Sequence, residues 1–192
     1  MDDTQKEYIE QHINLIQLDK WDEFFKQAPY GMGDVLFKAD INFLEKLTHV
    51  PDYSFWESDI QTIEIPENID SINSYAFFKC KNLRNVTMFD GVTNISNSSF
   101  CYCTSLTSIN IPSSVITIGD GAFYSCSSLN IVDMWDSIKC IEDAAFQSCG
   151  NISINYHGTV DNWKQLIGDN DRVFKNTTYT CNCTDGVVQK SR

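Results

Sequence analysis

Between residues 67 and 157 one pattern is written four times, and no other feature constrains the fold as much. Phe77, Phe100, Phe123 and Phe146 stand 23 residues apart, and Cys80, Cys103, Cys126 and Cys149 each follow three positions behind. Other columns keep the same step: Ile69, Val92, Val115 and Ile138, then Ile72, Ile95, Ile118 and Ile141, then Leu83, Leu106, Leu129 and Ile152. A gapless period of this length marks a solenoid, in which no unit can bury its apolar face without a neighbour.

Each unit carries an L-x-x-φ-x-φ run, as in Leu83-Arg-Asn-Val86-Thr-Met88 and Leu106-Thr-Ser-Ile109-Asn-Ile111. The alternation at the end of each run predicts a strand with one buried face. A turn follows, then a short φ-x-x-φ segment such as Val115-Ile-Thr-Ile118, then a small-residue bend holding the Phe and Cys. Tyr53 to Pro66 reads as a degenerate first unit. Its Ile60, Ile63 and Ile65 keep the 23-residue step to Leu83, Val86 and Met88, but its turn half is one residue short and has Ser58 in the cysteine column.

The units, of which Ile111-Pro-Ser-Ser-Val-Ile-Thr-Ile-Gly-Asp-Gly-Ala-Phe-Tyr-Ser-Cys-Ser-Ser-Leu129 is representative, resemble the leucine-rich repeats of the BspA or Treponema pallidum type over roughly residues 50–157. The resemblance implies an α/β, mainly β fold: a right-handed leucine-rich-repeat solenoid whose longer strands stack into one parallel sheet. The Asn column of other leucine-rich repeats is missing. Tyr156-His-Gly-Thr159-Val-Asp-Asn-Trp163 and Cys183-Thr-Asp-Gly186 are similar to the closing segment of many such bacterial repeat proteins, which seals the last rung.

The ends are expected to differ from the stack. Residues 1–50 read as a helical N-terminal cap, residues 51–157 as about five rungs, and residues 158–192 as a C-terminal cap and tail. In the first cap Tyr8, Ile9, Ile13, Ile16, Trp21, Phe24 and Phe25 keep helical spacing, which predicts two helices joined near Asp19, with Asp3 or Thr4 as N-cap and Glu7 completing a capping box after Thr4. A further short helical stretch is expected over Val35, Leu36, Ile41, Phe43, Leu44 and Leu47. An amphipathic stripe of this kind covers the open end of a solenoid, or else binds a partner or a membrane surface. At the other end, Thr159 caps a short helix through Ile167 whose Trp163, Leu166 and Ile167 form the lid. Ile152 to Tyr156 is expected to be the last strand, slightly slipped in register, and Val187 to Arg192 a frayed tail.

Charge narrows the partners. The net charge is −12, and residues 1–60 hold 13 acidic residues against 5 lysines. A nucleic-acid partner needs a basic stripe to displace counterions, and no Lys/Arg cluster is present, so neither nucleic acid nor anionic lipid is expected to bind. The opening residues are acidic and polar, unlike a secretion signal, and no apolar run is long enough for a membrane helix. Membrane insertion is not expected. As given, the chain reads as cytoplasmic, with an extracellular or cell-surface location if a leader has been removed.

Chemistry-bearing residues each have a plainer reading. The four-cysteine column, flanked by aromatic and small residues, fits reduced thiols packed as small hydrophobes better than a metal site or a disulfide framework. His12, His49 and His157 lie in the caps and at the end of the stack, with no nucleophile signature, phosphate-binding loop or HExxH. No catalytic residue, cofactor or metal is expected. Cys181-Asn-Cys183 with His157 or Cys149 would make only a weak zinc signature, since ligand pairs are usually two to four residues apart. Asp169-Asn-Asp171 and Asp133-Met-Trp-Asp136 match no calcium loop.

Stacking turns each strand position into a column with rungs about 4.8 Å apart. The outward columns are Thr62, Asn85, Ser108 and Ile131, then Glu64, Thr87, Asn110 and Asp133, then Pro66, Phe89, Pro112 and Trp135. In the last, Phe89 and Trp135 should stand about 10 Å apart, two rungs, across Pro112. Exposed aromatics with a polar border have the makings of a binding hot spot, unless the rings fold over the following turn and merely shield the edge. The candidate binding residues are therefore Phe89, Trp135, Glu64, Thr87, Asn110, Ile131 and Asp133. The function expected is non-enzymatic recognition of a protein partner by a monomer, through the sheet face or its rim. Family resemblance adds a surface protein attaching to host or matrix protein, and the acidic cap adds an assembly component that docks through its N-terminus.

Overall fold

The computed structural model describes residues 2–18, 20–38, 43–168 and 172–191. Six turns of chain wind around one apolar interior. Every turn has a long strand on one side: β2 (Thr62–Ile65), β4 (Asn85–Met88), β6 (Ser108–Asn110), β8 (Ile131–Trp135), β10 (Gly150–His157) and β11 (Thr177–Cys183). On the other side run two-residue strands, β1 (His49–Val50), β3 (Ser71–Ile72), β5 (Asn94–Ile95), β7 (Thr117–Ile118) and β9 (Cys140–Ile141). The registers follow the sequence step, with Ile63 beside Val86, Ile95 beside Ile118 and Ile109 beside Val132.

One parallel sheet is too simple a description. The short φ-x-x-φ segments pair into a second parallel sheet, β1-β3-β5-β7-β9. The long strands form a β2-β4 pair and a separate β6-β8-β10-β11-β12 sheet, where β12 is Gly186–Lys190. Outward residues send their N–H back to the preceding strand, as Ile131 does to the Thr107 carbonyl, and the equivalent bonds from Thr107 and Ser108 to Arg84 are missing among the described residues.

The interior is a stack of phenylalanines. Phe55, Phe77, Phe100, Phe123, Phe146 and Phe174 are fully buried, with successive ring centroids 4.9, 5.0, 5.3, 5.1 and 5.4 Å apart and no pair tilted by more than 12°. Phe174 follows Phe146 by 28 residues rather than 23. The difference is the helix α4 (Val160–Ile167), which packs against β9 where a sixth short strand would lie. Beside the rings, each cysteine thiol donates to the carbonyl of the Phe one turn earlier: Cys80 to Phe55 at 2.9 Å, Cys103 to Phe77 at 3.2 Å, Cys126 to Phe100 at 3.1 Å and Cys149 to Phe123 at 2.9 Å. These carbonyls also accept the backbone N–H three residues on, as Phe100 does from Cys103 at 3.1 Å, so the thiol is a second donor and the column serves mainly packing. In the last turn Thr177 takes the place of the cysteine, its hydroxyl donating to the Phe146 carbonyl at 2.6 Å. All eight cysteines are free.

The bends share a recurring left-handed backbone. Tyr75, Ser98, Gly121 and Ala144 occupy the left-handed region at one 23-residue step, and Lys79, Tyr102, Ser125 and Ser148 do so at another. Only Gly121 adopts this backbone without steric cost.

At the N-terminus, α1 (Asp3–Gln17), α2 (Trp21–Phe25) and α3 (Met32–Lys38) precede a short 3₁₀ turn, Leu44–Lys46. The expected junction at Asp19, and Ile41, lie outside the described residues. The N-cap is Asp2, not Asp3 or Thr4: it bonds the Gln5 N–H at 2.7 Å while the Gln5 side chain returns the bond, so Gln5 and not Glu7 completes the box. No residue of α1 is fully buried, whereas Trp21, Phe24 and Phe43 are, and Phe43 stacks 6.0 Å from Phe55. These rings continue the spine into the cap.

The C-terminal end departs most from expectation. Thr159 caps α4 and Trp163 is buried, as its sequence suggests. But Ile152 to Tyr156 is not the last strand, since β11 pairs parallel to β10. Nor do Val187 to Lys190 fray: they belong to β12, which pairs antiparallel with β11 through a Thr184-Asp185 turn. The Asp185 carboxylate accepts from the Val160 N–H at 2.7 Å, joining that turn to the start of α4. Arg192 lies outside the described residues.

Candidate binding face

The same alternation that buries Ile63, Ile65, Ile109, Val132 and Met134 turns their neighbours outward. Thr62, Glu64, Asn85, Thr87, Ser108 and Asn110 are all exposed. Ile131 is 46% exposed, Phe89 43% and Trp135 39%, while Pro112 between the rings is buried. Each candidate residue therefore sits on the outward side as its column requires, and Asp133, half-buried, is the least accessible.

The strand register carries these columns one turn further. Ile131, Asp133 and Trp135 stand beside Ser153, Asn155 and His157 of β10. His157 lies flat on Trp135, ring centroids 4.1 Å apart, and its Nε2 is 2.8 Å from an Asp133 oxygen. Asn155 donates to the other Asp133 oxygen at 3.3 Å. Trp135 is thus held by a neighbour on one face. Asn155 and His157 escaped the sequence reading because β10 is offset by 22 residues from β8, not 23; aligning Tyr156 with Met134 instead of counting from Phe146 would have found them.

At the other end of the face, the N-terminal cap overhangs β2 and β4. Phe37, Leu44 and Glu45 close a cleft of about 660 Å³ over Thr62, Glu64 and Thr87. Asn68 holds this wall in place by donating to the Leu44 and Leu47 carbonyls at 2.9 and 2.6 Å. Glu45 and Glu64 form no ion pair among the described residues, and no cation lines the cleft.

The other chemical candidates are not brought together. His12 stacks on Tyr8 in α1, and His157 belongs to the outward face. Cys181 and Cys183 have their sulfurs 3.7 Å apart, but Cys149 donates to Phe123 elsewhere. Among the described residues no group of three or more His, Cys, Asp or Glu is placed to hold a metal. Asp169 and Asp171 lie outside the described residues; Asp133 is engaged with His157 and Asn155. No described helix is long and apolar enough to cross a membrane.

A family model for the BspA type leucine-rich repeat region matches residues 41–180 in six copies. The chain belongs to that family. Six copies agree with the six turns counted along the phenylalanine stack. Among solved structures, this BspA-type chain is similar to a leucine-rich cell surface protein from Faecalibacterium prausnitzii, at 30% identity and TM-score 0.53 over 56% of this chain and 28% of that one. It is equally similar to a leucine-rich repeat protein of T. pallidum, at 30% identity and TM-score 0.53 over 54% and 50%. The match thus spans half or less of those neighbours' length. A search of curated protein sequences finds no match.

Proposed function

We propose that the chain is a non-enzymatic, monomeric protein-binding module that engages its partner through the outward face of the long strands. BspA-type repeats are generally interaction modules, and the reading beyond that rests on one observation. Ile131 and Trp135 stay exposed on a strand whose alternate residues are buried, and Phe89, just past the end of β4, is exposed too, with Glu64, Thr87, Asn110 and Asp133 on the same outward side. Large rings in a polar rim have the composition of a hot spot. The stack is rigid, so little ordering entropy opposes association. Glu45 and Glu64 in the cleft favour a partner with basic side chains at that end.

Affinity capture from the native source tests the reading, with wild type compared with Asn110→Arg. Asn110 is exposed in the middle of the face and makes no side-chain hydrogen bond among the described residues. Arginine there should leave the fold intact and obstruct docking. A co-eluting protein lost with the variant supports the proposal, and one retained equally by both moves the site elsewhere. The cell-surface neighbour favours a second reading, in which the same face attaches to a protein outside the cell.

A further inference from the structure

The long-strand sheet ends on β12, and no strand pairs with the outer side of β12 among the described residues. At the opposite border, β2 lies under Phe37, Leu44 and Glu45 of the cap. Hydrogen bonding fixes which residues of β12 look outward. Ser153 sends its N–H to the Asn130 carbonyl and Thr184 sends its N–H to the Gly158 carbonyl. By alternation along each strand, Thr180 and Asn182 face β10, while Tyr179, Cys181 and Cys183 face β12 and pair with Lys190, Val188 and Gly186. Val187 and Gln189 therefore turn their backbone N–H and C=O groups to the open edge.

Sheet edges are commonly blunted by a proline, a bulge or a charge. β12 holds no proline, pairs with β11 without interruption, and has its one charge, Lys190, tied by Nζ to the Phe174 carbonyl at 2.8 Å. The edge also continues the outward face. The row from Asn110 through Asp133, Asn155 and Asn182 ends on Val187, which is 59% exposed, and Gln189 on the same side is exposed too. We propose that an extended segment of the protein partner adds to β12 as a further strand, its backbone bonded to Val187 and Gln189 and its side chains prolonging the outward face. The inference rests on the reading of that face as the binding surface. Unpaired donors and acceptors in a row are matched by another strand and not by a helix, whose backbone groups are already bonded. Val187 favours a β-branched or aromatic residue opposite it.

The test uses a displayed library of random short peptides, selected on the folded chain and screened against Gln189→Pro. Proline is tolerated on an edge strand with its nitrogen towards solvent, so this variant removes the outward N–H and leaves the β11 ladder intact. Gln189→Ala keeps the N–H and is the control. The expected peptides bind wild type and Gln189→Ala alike, lose about tenfold in affinity on Gln189→Pro, and slow amide exchange at Val187 and Gln189 by at least a similar factor. Exchange at Val188 and Lys190, already laddered to β11, should stay unchanged. The proposal is overturned if no selected peptide slows exchange at Val187 and Gln189, if all bind Gln189→Pro as well as wild type, or if the library yields no binder. Because the library needs no native partner, a failed library beside a partner lost with Asn110→Arg removes the edge and keeps the face.

Discussion

The interior columns and the outward rows share one backbone, yet only the interior repeats. Inward, the stacked rings from Phe55 to Phe174 and the thiols beside them recur turn after turn, because each ring must meet its neighbour's face and each thiol fills the space beside it. Outward, the corresponding rows read Thr62, Asn85, Ser108, Ile131 and Pro66, Phe89, Pro112, Trp135. Solvent imposes no such demand, so side-chain identity there is available for recognition. In a solenoid, regularity reports stability and irregularity points towards the site.

Breaking the interior should have the largest effect. Phe100→Ala removes a ring stacked on both sides and should cost about 3–5 kcal/mol. Urea unfolding measures this, and a cost near that of an exposed substitution would contradict the stacked spine. Cys126→Ala removes one of two donors to the Phe100 carbonyl, which keeps the Cys103 N–H at 3.1 Å, and should cost about 1 kcal/mol. Cys126→Ser should recover part of it, since Thr177 fills the equivalent place with a hydroxyl.

Alkaline pH tests the thiols without mutation. Burial, the largest cause, pushes Cys101 and Cys149 up to about 12, whereas an unfolded thiol ionises near about 8.5. Between those values the unfolded chain releases protons that the native chain keeps, so stability falls as pH rises. Unfolding midpoints across that window should decline, and a Cys101→Ala/Cys149→Ala variant should flatten the slope. The smallest effect is a gain. Ser99 is fully buried with no hydrogen-bond partner for its hydroxyl among the described residues, and Ala76, Ala122 and Ala145 hold the same place in the other regular units. Ser99→Ala should stabilise by about 1 kcal/mol, read as a higher unfolding midpoint.

What the sequence made legible follows the same division. A strict period exposes every column that packing enforces, so the solenoid, the buried cysteines and the outward positions of Phe89 and Trp135 could all be read. The period gave out where a helix replaces a strand. With α4 in place of a short strand, Phe174 and Thr177 fall five residues late and the sixth turn is hidden. The Thr184-Asp185-Gly186 turn between alternating runs was the available signal for the closing hairpin. The second sheet left only a trace, because two-residue strands are too short to establish an alternation of their own. Pairing between His157 and Asp133 depends on a register offset that no local pattern announces.

The most direct test of this division is the Phe89→Ala/Trp135→Ala double variant, with unfolding and partner binding measured on the same preparation. Both rings are about two-fifths exposed, so the unfolding free energy should change by no more than about 1 kcal/mol. Affinity for the captured partner should fall by at least about 2 kcal/mol, the threshold of a hot spot. A folded double variant that binds with undiminished affinity would contradict the account.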